Sequence, residues 1–130
     1  MKRSKYFLII AVLVMVTNAL NAQDKVKNTI LPGSWMGKLS VDGMELRVVF
    51  NLKLVQKDSL TVTLDSPDQN AMDIPAGPVV VENKKVIIKA PGINGQYDGT
   101  VMNDSTITGT WSQNGGTLPL DIKKKNSSEN

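Results

Sequence analysis

Between Glu45 and Leu54 the chain alternates in a way that leaves one fold class open. Leu46, Val48, Phe50, Leu52 and Leu54 fall on one face of an extended segment. Glu45, Arg47, Asn51 and Lys53 fall on the other, and only Val49 breaks the polar face. A period of two describes a strand with one buried and one wetted face, the pattern of antiparallel sheets. The same period recurs from Pro32 onward. Trp35, Gly37, Leu39 and Val41 alternate with Met36, Lys38 and Ser40, and Leu60, Val62 and Leu64 with Thr61 and Thr63. Leu118, Leu120 and Ile122 alternate with Thr117, Pro119 and Asp121.

Turn signals separate these runs. Asp42-Gly43 marks a tight hairpin, as such pairs accept positive φ. Gln56-Lys57-Asp58, Glu82-Asn83, Asn103-Asp104 and Gln113–Gly116 punctuate the remainder, with longer loops at 65–77 and Pro91–Gly95. About eight short strands joined mainly by hairpins predict an all-β, antiparallel up-and-down meander. We expect a closed or nearly closed barrel rather than a sandwich, with the first strand meeting the last so that neither edge stays open. In such a meander the Asp42-Gly43 turn, the 65–77 loop, Pro91–Gly95 and Gln113–Gly116 gather at one end. That mouth is where a binding site is expected.

The first 22 residues have a different character. Lys2, Arg3 and Lys5 precede an apolar run from Tyr6 to Thr17, and small residues around Ala22 offer a cleavage point. This is the form of a signal peptide and is short for a membrane span. The expected organisation is therefore a cleaved signal peptide at 1–22, a linker or arm at 23–31, a β-barrel domain at 32–123 and a disordered tail at 124–130. The expected location is the periplasm or the cell exterior, with no stable membrane span after processing. Three of the 15 basic residues lie in the signal, which leaves 12 basic against 12 acidic. A balanced chain gives no electrostatic footprint for nucleic acid. With no Cys there is no disulfide, so an exported domain must rely on its core.

The chain also lacks His. The commonest general base, the thiol nucleophile and the best zinc ligands are thus absent. No nucleophile elbow, phosphate loop or dinucleotide fingerprint occurs. Oxygen-bearing side chains crowd the segment that follows the third strand. Asp65, Ser66, Asp68 and Gln69 are candidate ligand-binding residues there, and Gln96, Tyr97, Gln113 and Asn114 complete the set at the same mouth, with Met72 and Ile74 as a lid. Asp65, Asp68, Asn70 and Asp73 lack the alternation of a known calcium loop, and no metal or cofactor is assigned. A paired-carboxylate mechanism at Asp65 and Asp68 would need a deep cleft to separate their pKa values. Asp beside Pro more often caps a turn by accepting backbone N–H groups.

Four stretches carry a resemblance: Gly33–Leu39, Glu45–Phe50, Thr63–Gln69 and Ile107–Gln113. In that order they resemble the N-terminal, lipocalin-like β-domain of secreted bacterial α/β-hydrolases and serine hydrolases, and Leu64-Asp65-Ser66-Pro67-Asp68-Gln69 is the specific part. In that family a catalytic domain follows, and it carries the esterase-type activity. The resemblance carries over no catalytic residue and implies a non-enzymatic accessory domain. Such a module either binds a small apolar molecule or glycan at the mouth or docks on a separately encoded secreted hydrolase. Asn70 stands where the family usually has Gly, so the turn there is expected to differ.

Overall fold

A computed structural model describes residues 30–56 and 59–126. The expected signal peptide, most of the expected arm, residues 57–58 and residues 127–130 lie outside the described residues. The strands are β1 (Gly33–Val41), β2 (Met44–Val55), β3 (Ser59–Ser66), β4 (Ala71–Ala76), β5 (Val79–Glu82), β6 (Lys85–Ala90), β7 (Gly95–Asn103), β8 (Thr106–Gln113), β9 (Gly116–Pro119) and β10 (Ile122–Lys124). All pair antiparallel in one sheet, in the order β4-β3-β2-β1-β10-β8-β7-β6-β5, with β9 also on β8. No helix among the described residues is long and apolar enough to cross a membrane.

Among the described residues ten strands stand where eight are expected, for two physical reasons. The 65–77 segment, read as a loop, contains β4. Pro67 starts a single 3₁₀ turn, and Asn70 follows at φ +58°. That is the left-handed region, which Gly and Asn tolerate. The chain then returns onto β3, pairing Leu64 with Ile74 and Val62 with Ala76. A register shift after Leu64 and a positive φ at Asp73 break the alternation that would have advertised this strand. The last strand also divides. β9 pairs with Thr110–Gln113 of β8, while β10 pairs with Thr106 and Ile107 and bridges to β1. Pro119, which donates no ladder hydrogen bond, ends β9.

The expected meeting of first and last strands is present, with Trp35 opposite Lys124 and Gly37 opposite Ile122. It does not remove both edges. The outer strands are β4 and β5, which are consecutive in the chain and share no ladder, so the sheet is not closed. Pro75 and Pro78 take donors out of this region. The link nevertheless reaches across to β6: the Gly77 N–H donates to the Lys89 carbonyl at 2.6 Å, and the Lys89 N–H to that of Pro78 at 3.3 Å.

The inward faces build one core around Trp35, Phe50, Tyr97, Ile88, Ile107, Leu120 and Ile122, all wholly buried. Phe50 lies 5.2 Å from Tyr97 and 6.3 Å from Trp111, centroid to centroid. Glycines make room for the rings. A Cβ on Gly109 would come within 2.7 Å of the Tyr97 ring, and one on Gly95 within 2.6 Å of the Trp111 ring. The expected arm ends inside this core, because Leu31 is fully buried and its carbonyl accepts the Trp35 indole N–H at 2.9 Å. The expected tail begins late. Lys124 belongs to β10 with its ammonium 5.2 Å above the Trp35 ring, and the Lys125 N–H donates to Ser34 at 2.8 Å.

Candidate functional site

Four connections lie around a cavity of about 620 Å³. The first is Asp42-Gly43, with φ of +49° and +79°, the positive pair that a tight two-residue hairpin demands. The last, Asn114-Gly115, repeats it at +50° and +85°. Between them are two copies of one device. Pro67–Gln69 and Pro91–Ile93 are each a 3₁₀ turn opened by Pro and closed by a left-handed Asn, Asn70 or Asn94, whose N–H donates back to the Pro carbonyl. Proline presets the entering φ and Asn accepts the closing one, so each turn reverses its strand in four residues. Gln69 and Ala71 beside one turn, and Ile93 from the other, face the same cavity.

The wall is mainly aliphatic. Leu39 and Val41 come from β1, Leu46 and Val48 from β2, Leu64 from β3, Ile74 from β4 and Leu118 from β9, with the Trp111 indole from β8. No ladder joins the second half of β1 to β9, since β10 pairs only with Trp35–Gly37. The large aromatic rings do not fill this space. Trp35, Phe50 and Tyr97 are absent from its lining, and only Trp111 borders it. Seating the rings over glycines leaves the end of the sheet near the loops hollow, which alternation alone does not reveal.

The predicted residues divide by face. Asp65, Ser66, Gln69, Gln113 and Asn114 border the cavity. Ser66 donates to the Gln69 side-chain carbonyl at 3.0 Å. Gln113 accepts the Trp111 indole N–H at 3.1 Å and donates to the Ile93 carbonyl at 3.0 Å. Asn114 is tied to Asn94 at 3.3 Å. Asp65 contributes wall, but its carboxylate turns to the other face of the sheet. One oxygen accepts the Asp73 N–H at 2.8 Å and the other the Asn51 amide at 2.9 Å; Asn51 in turn accepts from Ser34 at 2.7 Å. This chain of bonds holds the returning β4 in place.

Asp68, Gln96 and Tyr97 do not line the cavity. Asp68 braces the 3₁₀ turn against β2. Its carboxylate accepts the Arg47 backbone N–H at 2.7 Å and the Arg47 guanidinium at 2.9 Å. β3 pairs with β2 only from Val49 onward, so the turn supplies the acceptor that the ladder lacks at Arg47. The hydrogen bond from the Arg47 side chain, then that from its backbone, holds Asp68 below the usual carboxylate range. Gln96 is one residue out of phase with the buried face, and its amide bonds Asp98 at 3.1 Å. Tyr97 points the right way but lies too deep, donating its hydroxyl to the Leu120 carbonyl at 2.9 Å. Burial, and next the charge of Asp121, push its pKa upward. Of the expected lid, Ile74 lines the cavity and Met72 is exposed outside it.

The residues missed are the aliphatic ones. Their signal was their parity at the loop end of each strand, which marks core and cavity wall alike. Among the described residues, no group of three or more acidic, His or Cys side chains is placed to hold a metal. Comparison with protein families, curated proteins and solved structures finds no match.

Proposed function

We propose that this chain is a non-catalytic binding module that takes a small, mainly apolar molecule into the cavity at the loop-bearing end of its sheet. The cavity carries the reading. Its volume of about 620 Å³ lies within the roughly 300–1,000 Å³ of small-molecule sites, and its aliphatic wall with a few polar groups at one rim is their usual make-up. An apolar ligand fits better than a glycan. Trp111 is only 4% exposed and its N–H is engaged by Gln113, so it offers no open stacking platform.

The two carboxylates that would have to share an acid-base mechanism serve different structural partners, which supports a non-enzymatic role. On this reading the curled sheet functions as a lipocalin-like barrel whose β4 and β5 edges are drawn together by the link at 77–78. The module is exported to the periplasm or beyond, as an accessory domain of the kind that accompanies secreted hydrolases. Native mass spectrometry of the protein, purified from its producing cells without detergent, tests the reading. It predicts a discrete added mass that disappears under denaturing spray. A bare chain in every preparation, together with failure to take up any added apolar compound, would refute it.

A further inference from the structure

We infer that the ligand is an uncharged amphiphile: an apolar body ending in a neutral hydrogen-bonding head such as an alcohol, ester or amide. The inference rests on the binding-module reading and concerns which molecules the cavity admits. Among the described residues no Lys, Arg or Glu lines it, and the chain has no His. The one charged lining residue among them is Asp65, whose two oxygens are committed on the opposite face to Asn51 and the Asp73 N–H. Arg47, between the lining residues Leu46 and Val48, is held by Asp68 in an ion pair of 2.9 Å outside the lining. The groups left to meet a ligand head are the Thr117 hydroxyl and the hydrogen-bonding capacity that Ser66, Gln69, Gln113 and Asn114 keep beyond their bonds within the protein.

A charge drawn below the rim into the aliphatic part of the cavity loses its water and finds no counter-charge, and burial of an unpaired ion is among the most costly steps available to a protein. A neutral head loses far less, because each amide can give and accept hydrogen bonds and so replace its water contacts. The cavity therefore discriminates by charge as well as by shape. A fatty carboxylate and a fatty ammonium are both disfavoured, although their chains suit the wall.

The test is displacement of Nile red, a neutral fluorophore, from the intact protein by three compounds with one chain length: dodecan-1-ol, dodecanoate and dodecylammonium. Each is used below its aggregation concentration at about pH 7, where both ions are charged. The alcohol is expected to compete at least about tenfold better than either ion, roughly 1.4 kcal/mol. Dodecanoate is expected to gain on it as the pH is lowered into the carboxylate range. A carboxylate or ammonium that competes as well as the alcohol at about pH 7 would overturn the inference while leaving the binding reading in place. Failure of Nile red and all three compounds to bind would overturn both.

Discussion

Tyr97 places a hydroxyl in the middle of the core, and the site tolerates it because the Leu120 carbonyl accepts its proton at 2.9 Å. Tyr97→Phe leaves that carbonyl without its partner, so urea unfolding is expected to show a loss of about 1–2 kcal/mol. The pH dependence has a definite sign. Burial raises the folded-state pKa of Tyr97, so the unfolded chain releases this proton first. The contribution is fully present below the ordinary tyrosine value of about 10 and falls as the pH rises past it. Wild-type stability should drop there, and the drop should be smaller in the Phe variant. Gly109 makes the same region sensitive to a single methyl. Ala there would strike the Asp98 carbonyl as well as the Tyr97 ring and is expected to cost about 1–3 kcal/mol by overpacking. That Tyr97 faces inward was legible from its phase in the strand. Its depth was not, since the two glycines that receive its ring, Gly99 on β7 and Gly109 on β8, are brought together only by strand pairing.

Among the elements, β3, the 3₁₀ turn and β4 form the unit with the most specific chemistry, and its aspartates position backbone. Asp65→Ala removes the acceptor for the Asp73 N–H and for Asn51, and should destabilise by about 2 kcal/mol, since bonds to a charged acceptor are the stronger kind. Asp65→Asn keeps one acceptor and should cost less. Asp68 acts differently. Arg47 lowers its pKa, so its contribution is present above the ordinary carboxylate range and is lost as the pH falls through and below that range. Urea titrations near neutrality and in acid should show Asp68→Asn flattening the acid limb of the stability profile. The strand pattern of β1 to β3 was readable because inward residues recur at every second position, with Val49 of β2 the single break. β4 was not, because a bulge and a left-handed Asp73 hide its period, and the division of β9 from β10 shows only in where Pro119 falls against β8.

For the molecule as a whole, the sequence shows that loops meet at one end but not that the space beneath them is empty. Summing the side chains of a small domain suggests that its four large rings fill the interior. The fold instead sets Tyr97 and Trp111 over glycines and leaves an aliphatic hollow beside the polar rim. The open edges at β4 and β5 were equally hidden, since the contacts of the 77–78 link with Lys89 depend on how far the sheet curls. If this hollow is a ligand site, filling part of it must weaken binding, which equilibrium titration of Nile red into wild-type protein and two variants measures. Leu118 lines the cavity beside its ladder partner Trp111, and Leu118→Trp narrows it. Met102 is 61% exposed and outside the lining, so Met102→Trp adds the same indole elsewhere. The account predicts that Leu118→Trp weakens binding at least about tenfold while Met102→Trp and wild type bind alike. Equal binding by all three proteins would contradict it.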